Sequence, residues 1–308
     1  MLRGSLLAAA LLPLLGLGSG AGHVRNGRIA YVHVGNGKRF QIYTVTATGA
    51  HRHPLTASHR YSSYEPAYAP RGKRIAFVRA YKQSDLWTMN ADGNHKRNLT
   101  STAHVDEIDP AWAPDGKRIA FSVETPAADE GVWVVDADGR NRTRLTTADD
   151  LNASWSPDGS EIAFQRHTFS PPTGPVDQLF AVPAEGGAPV DLTNDLTISD
   201  LQPAWSPNGN RILFSSVPND GFELDLWTMS PAGGDRTQVT NTSNLDEHDP
   251  SWSPDGKRIV YVSESSSSGA ASYQLYVSNA NGSKRRVVTH ACGSCAIINE
   301  DPSWQPLP

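Results

Sequence analysis

The chain is poor in cysteine, in charge and in long apolar segments. Two cysteines among 308 residues exclude a disulfide-dense scaffold and a cysteine-rich metal cluster. Charged residues make up only 19% of the chain, and 27 Lys and Arg face 32 Asp and Glu. Because nucleic-acid-binding domains carry a basic excess, we expect no nucleic-acid partner.

The one long apolar run lies near the N-terminus, at residues 6–17, after Arg3 and before small residues that extend to Gly22. This order is typical of a secretory signal peptide, and the run is shorter than the roughly 20 residues of a membrane span. We therefore expect residues 1–22 to be a signal peptide and residues 23–308 to be a secreted or periplasmic domain. We expect no membrane span after cleavage, and an uncleaved anchor is the alternative.

Six near-copies of one pattern fill residues 26–301, and such internal repeats decide the architecture. The clearest part, which we call the marker, is Pro or Ala, a small residue, an aromatic residue and a turn. Examples are PAWAPDG at 110–116 and PSWSPDG at 250–256, and a truncated copy, PSWQP, stands at 302–306. The marker aromatics are Tyr68, Trp112, Trp155, Trp205, Trp252 and Trp304.

Each full marker is followed by three further strand-like segments that are separated by turn residues. In the third repeat these are residues 118–122, a segment centred on Trp133, and a segment that ends at Thr146. Four short strands per 43–52 residues are typical of a propeller blade. The first copy lacks an inner strand, and residues 302–306 can supply it. We therefore predict an all-β fold, a six-bladed β-propeller of four-stranded blades, closed by the C-terminal strand.

The repeat resembles that of a known family. PAWAPDGKRIAF at 110–121, PSWSPDGKRIVY at 250–261 and LWTMNADG at 86–93 are similar to the WD40-like (PD40) propeller repeat of the TolB family. The sequence has no counterpart of the N-terminal α/β domain through which TolB docks in the Tol–Pal envelope system. It also has no counterpart of the catalytic domain that accompanies the similar propeller of prolyl oligopeptidase-type enzymes.

The order of the strands predicts which connections share a face. The second-to-third and fourth-to-first connections lie on one face, which we call the long-loop face. Its longest predicted connections are at 167–177, 217–225 and 264–272. Since function concentrates in variable loops on a rigid scaffold, we expect this face to bind a ligand.

Acidic residues gather just before the markers. The residues directly before them are Glu65, Asp109, Asn152, Gln202, Asp249 and Asp301, and acids two residues earlier are Glu107, Asp150, Asp200 and Glu247. We predict that they surround the mouth of the central channel and bind a basic peptide or a hard cation such as calcium. The alternative is that these acids cap turns and pair with neighbouring Arg and Lys.

The two cysteines, Cys292 and Cys295, are separated by Gly and Ser, which permit a tight loop. Because secreted proteins meet an oxidising environment, we predict a disulfide between them.

The sequence contains no G-x-S-x-G elbow, no H-E-x-x-H and no phosphate loop, so we assign no catalytic residue. We expect a monomeric binding module that recognises a protein or peptide through the long-loop face and the acidic channel mouth. A metal-assisted lyase or hydrolase acting on a polysaccharide or lactone is the alternative, and His248 is its nearest candidate ligand. A purely structural envelope component is a third possibility.

Overall fold

Six antiparallel sheets, each of four strands, form the propeller in a computed structural model. It describes residues 24–35, 39–124, 129–170, 174–217, 223–265, 272–289 and 297–308. The described part of the chain holds no apolar helix long enough to span a bilayer. The predicted signal peptide, Cys292 and Cys295 lie outside the described residues, so these two predictions remain predictions.

Strands run outward from the axis in each blade, and the outermost strand of every blade is only two residues long. Blade one contains β1 (Arg25–Gly35), β2 (Gln41–Val45), β3 (His53–Pro54) and, innermost, β24 (Ile297–Leu307). Blade two contains β4 (Ser62–Tyr68), β5 (Arg74–Ala80), β6 (Ser84–Asn90) and β7 (Arg97–Asn98). Blade three contains β8 (Asp106–Trp112), β9 (Arg118–Glu124), β10 (Gly131–Asp136) and β11 (Thr143–Arg144).

The other three blades repeat this order without interruption. Blade four contains β12 (Asp150–Trp155), β13 (Glu161–Ser170), β14 (Gly174–Pro183) and β15 (Val190–Asp191). Blade five contains β16 (Asp200–Trp205), β17 (Ile212–Ser216), β18 (Asp225–Met229) and β19 (Thr237–Gln238). Blade six contains β20 (Asp246–Trp252), β21 (Arg258–Ser265), β22 (Ser272–Asn279) and β23 (Arg286–Val287).

The predicted closure is confirmed, because β24 pairs antiparallel with β1 and brings Trp304 opposite Ile29. Trp304 is buried, and its indole Nε1 donates to the Gly27 carbonyl at 3.3 Å. The last strand is therefore an integral part of the first blade.

The hydrophobic core lies between neighbouring blades. One cluster joins Val78 and Leu86 of blade two to Trp112 and Phe121 of blade three. Three of the marker tryptophans, Trp112, Trp155 and Trp304, are buried in these interfaces. Trp155, for example, is buried, and its Nε1 donates to the Ala111 carbonyl of the preceding blade at 3.1 Å.

One predicted loop is shorter than expected. The connection expected at 167–177 is mostly strand, because β13 and β14 stay paired as far as Ser170 and Gly174. Thr168, Phe169 and Val176 are β-branched or aromatic residues that favour continued pairing. The parts of the long connections at 171–173, 218–222 and 266–271 lie outside the described residues.

Candidate functional site at the propeller axis

The six residues that precede the markers stand at a bulge in the inner strand of every blade. In blade three the pairing with β9 is shifted between Ile108 and Ala111, and the other blades show the same shift. At each bulge the residue before the marker has a positive φ between 49° and 56°, a left-handed conformation that non-glycine residues rarely adopt. We call these residues the axial ring: Glu65, Asp109, Asn152, Gln202, Asp249 and Asp301.

Hydrogen bonds link the axial ring from blade to blade. The backbone N–H of Asp109 donates to Glu65 Oε2 at 2.7 Å, and that of Asn152 donates to Asp109 Oδ2 at 3.0 Å. The N–H of Asp249 donates to Gln202 Oε1 at 3.0 Å, so an amide oxygen serves as well as a carboxylate. A longer contact of 3.4 Å joins blades two and one. These bonds fix the side chains of the ring and hold neighbouring blades together.

Four of the six axial-ring residues are acids, and their position makes ionisation unfavourable. Burial raises the pKa of Asp109 to about 6. Burial, followed by the charges of the other ring acids, raises the pKa values of Glu65 and Asp301 well above their ordinary range. Because like charges oppose each other's ionisation, a cation at the axis would relieve an unfavourable interaction.

A cavity of about 640 Å³ extends from the axial ring toward the marker turns. In blade three its wall is formed by Pro110, Trp112 and Pro114, and equivalent residues of the other blades complete it. We call this cavity the axial funnel. It lies on the marker-turn side of the ring, whereas the loop lengths had led us to expect the mouth on the long-loop face. The funnel lies on this side because its lining residues begin at the bulge and continue along the second half of each inner strand, toward the marker turns.

The four acids predicted two positions before the ring do not line the axial funnel. They are fully buried, and each forms an ion pair with an arginine. In blade four, Arg166 Nε and Nη2 donate to Asp150 Oδ1 and Oδ2 at 2.6 and 2.8 Å. The other pairs are Glu107 with Arg142, Asp200 with Arg236, and Glu247 with Arg285. This is the arrangement that the alternative interpretation of the acids describes.

His248 and Glu300 extend the ring on its long-loop side; the sequence analysis named His248 only as a candidate metal ligand and missed Glu300. His248 Nδ1 lies 3.1 Å from Asp249 Oδ2, and the His248 and Tyr273 rings meet edge to face at 6.2 Å. Burial, followed by the charge of Asp249, raises the pKa of Glu300 to about 7. The signal was available in the sequence, because His248 and Glu300 occupy the position just before the ring residue.

The described residues include no group of three or more His, Cys, Asp or Glu side chains placed to hold a metal ion. The side chains of Glu65, Asp109 and Gln202 accept from backbone N–H groups of neighbouring blades, and the ring side chains do not converge as a set of direct ligands. A cationic side chain entering along the axis needs no such convergence.

Comparison with known proteins supports the interpretation of the repeat. A family model described as the TolB β-propeller domain matches residues 20–307. None of the curated proteins compared with the chain matches it in sequence.

Solved structures share the fold at low sequence identity. TolB from Acinetobacter baumannii is 22% identical with a TM-score of 0.74, covering 91% of this chain and 66% of that one. A putative TolB from Agrobacterium tumefaciens is 15% identical with a TM-score of 0.69, covering 91% of this chain and 99% of that one. An oligogalacturonate lyase in complex with manganese is 14% identical with a TM-score of 0.53, covering 87% of this chain and 75% of that one.

Proposed function

Because the chain belongs to the TolB β-propeller family, we propose that it is an extracytoplasmic binding module. Its ligand is a cationic side chain, Lys or Arg, of a protein or peptide partner, which enters the axial funnel and reaches the axial ring. The main support for this proposal is the axial ring, where four carboxylates share one channel and at least three have raised pKa values.

The axial funnel suits a peptide because its two ends differ in chemistry. The floor is acidic, and the walls are proline and aromatic side chains such as Tyr68 and Trp252. A basic side chain would meet carboxylates at the floor, while its apolar neighbours would pack on the walls. The volume of about 640 Å³ falls within the range of ligand pockets.

Calcium is the second cation to test, since carboxylate and amide oxygens are its usual ligands. The ring geometry favours the side-chain ammonium or guanidinium group, because the described acids do not form a convergent set of direct ligands. No observation on the described residues favours the metal-assisted enzyme over the binding module.

The test measures binding of a fluorescein-labelled tetralysine peptide by anisotropy at low ionic strength. Its neutral control is the same peptide with every lysine acetylated. We expect the parent to bind only the charged peptide. The double variant Asp109→Asn and Asp249→Asn should bind it at least tenfold more weakly, since losing one charge-assisted hydrogen bond costs about 1.4 kcal/mol or more.

A matched control removes the same charge from the same blades. Asp115 and Asp255 are exposed aspartates in the marker turns of blades three and six. The double variant Asp115→Asn and Asp255→Asn should keep the parental affinity. Equal losses in the two double variants, or equal binding of the acetylated peptide, would show that the axial ring is not the site. Melting temperatures with chelator and with calcium test the second cation in the same proteins, since a ligand of the folded state raises stability by mass action.

A further inference from the structure

In four blades the acid two residues before the axial ring forms a buried ion pair with an arginine. Each pair joins the acid two residues before the axial ring to a guanidinium that also lies over an aromatic ring of the third strand. In blade four, Arg166 pairs with Asp150 and lies 4.6 Å from the centre of the Phe180 ring. The equivalent guanidinium–ring distances are 4.5 Å at Trp133, 5.7 Å at Trp227 and 4.1 Å at Tyr276.

Blade two has an arginine at the second-strand position of blade four and the aromatic ring, but a serine in place of the acid. In blades three, five and six the paired arginine stands instead just before the outermost strand. Arg79 stands opposite Ser63 in the strand pairing, as Arg166 stands opposite Asp150. The Arg79 guanidinium lies 4.5 Å from the centre of the Trp87 ring. Ser63 is fully buried, and among the described residues neither its Oγ nor Arg79 Nε has a hydrogen-bond partner. In blade four it is Nε, together with Nη2, that binds the carboxylate.

The nearest acid of blade two is occupied elsewhere. Asp85 is opposite Arg79 across β5 and β6, but its carboxylate accepts from Asn98 Nδ2 and from the Thr102 N–H, both at 3.1 Å. Within the described part of the chain Arg79 forms no ion pair. Lys96 adds a second cation, and burial, followed by the charge of Arg79, lowers its pKa. In blade two a neutral serine therefore stands where four blades have an acid, and the arginine opposite it has no ion-pair partner among the described residues.

Arg79 also lines a cleft of about 290 Å³, which we call the blade-two cleft. It is lined by Tyr61, Arg79, Tyr81, Lys82, Gln83 and Trp87, with Asp85 at its edge. Arg60 lies between the two tyrosines, 5.5 Å from the Tyr61 ring centre and 4.6 Å from that of Tyr81. Tyr81 is 49% exposed, so the cleft can be reached from solvent.

The charge of the whole molecule points to the same sector. Residues 24–100 contain thirteen Lys and Arg against three Asp and Glu, whereas residues 101–308 contain thirteen against twenty-nine. Blades one and two therefore form a basic sector in a protein that is acidic overall. Such a field attracts anionic partners and increases the rate at which they associate.

We propose that the blade-two cleft binds a carboxylate from an acidic segment of a protein partner, which completes the ion pair that four other blades complete internally. The Arg79 guanidinium lines the cleft, and the planar guanidinium group matches a carboxylate in a two-point hydrogen bond. Guanidinium groups already lie over the Tyr61, Tyr81 and Trp87 rings, so a ligand meets N–H donors and not the open aromatic faces that stack on sugars. The site is separate from the axial funnel and does not depend on the function proposed there.

The test uses a fluorescein-labelled hexaglutamate peptide, with hexaglutamine as its neutral control. The parent should bind hexaglutamate only, and Arg79→Gln should weaken binding at least tenfold. Ser63→Asp places in blade two the acid that blade four already has. The introduced carboxylate should pair with the Arg79 guanidinium inside the protein and reduce hexaglutamate binding to the same extent as Arg79→Gln.

Two controls separate this effect from a general change of charge or shape. Ser101→Asp adds the same charge on an exposed residue after β7, and it should retain binding within about twofold, as screening of exposed charges allows. Ser63→Asn adds similar bulk without charge and should also bind.

If Ser63→Asp binds as tightly as the parent, or if Ser101→Asp loses as much, the proposal is wrong. Binding of an oligogalacturonate in place of hexaglutamate, lost in Ser63→Asp, would overturn the assignment to a protein partner. Arg79→Gln gives an independent answer if Ser63→Asp does not fold.

Discussion

Asp109→Asn should make the propeller more stable at pH 8 and change its stability little at pH 4. The pKa of Asp109 is raised from 3.8 to about 6, with burial as the largest cause. Between those pH values the folded chain keeps a proton that the unfolded chain releases. Raising the pH through this window therefore favours unfolding. Relative to a chain with an unperturbed pKa, the stability contributed by the protonated Asp109 is fully present below about pH 4 and is lost above about pH 6.

The size of the effect follows from the difference between the two pKa values. Roughly two pH units correspond to about 3 kcal/mol at 1.36 kcal/mol per unit. At about 2 °C per kcal/mol for a chain of this size, the melting temperature of the variant should gain about 6 °C over the parent at pH 8. Asparagine keeps an oxygen for the N–H of Asn152, just as Gln202 Oε1 accepts the N–H of Asp249 at 3.0 Å.

The assay is thermal unfolding of parent and variant, followed by circular dichroism from pH 4 to pH 8 at fixed ionic strength. We expect the melting temperature of the parent to fall more steeply with pH than that of Asp109→Asn. Asp115→Asn removes an exposed carboxylate from the marker turn of the same blade and should follow the slope of the parent. Parallel curves for Asp109→Asn and the parent would refute the assignment of a raised pKa at the ring.

Three further predictions concern closure, buried charge and cysteine. Deleting residues 302–308 removes a buried tryptophan worth about 3–5 kcal/mol, so the truncated chain should melt far below the full chain or aggregate in a solubility assay. Arg166→Met strands a fully buried aspartate and should cost about 3–5 kcal/mol in denaturant unfolding, whereas Arg118→Met, whose glutamate partner is exposed, should cost at most about 1 kcal/mol. Alkylation without reduction should leave Cys292 and Cys295 unlabelled in mass spectra of protein from its native compartment, and labelling of both would contradict the disulfide.

The blades were predictable because each copy of the repeat carries the same local sequence signals for strands and turns. Turn residues, strand patterns and the spacing of the marker aromatics all agree, and the spare strand at 302–306 leaves one way to close the ring. The left-handed bulge was not predictable. Asp109 and its equivalents carry no glycine signal, and their conformation is held by hydrogen bonds from the next blade, which single-repeat reasoning does not contain.

The division of the acids into two groups also needed the structure. Asp109 and Glu107 are two residues apart, so the alternation of a regular strand would place them on the same face. The bulge separates them, and Glu107 instead meets Arg142 from the turn between β10 and β11. The basic sector in residues 24–100, by contrast, could have been found by counting charges along the chain, because the overall charge of −5 averages over both sectors.

Closure by the last strand also has a kinetic consequence. β1 and β24 are the two ends of the described chain, and Arg25 reaches the Pro308 carbonyl at 3.3 Å across a sequence separation of 283 residues. Contacts of such high contact order form late in folding, because a long loop must close before they can form. Blade one therefore stays incomplete until the rest of the ring is assembled. A circular permutant that joins residues 308 and 24 and opens the chain between β3 and β4 would make every blade local in sequence. It should refold faster than the parent while keeping the same ring.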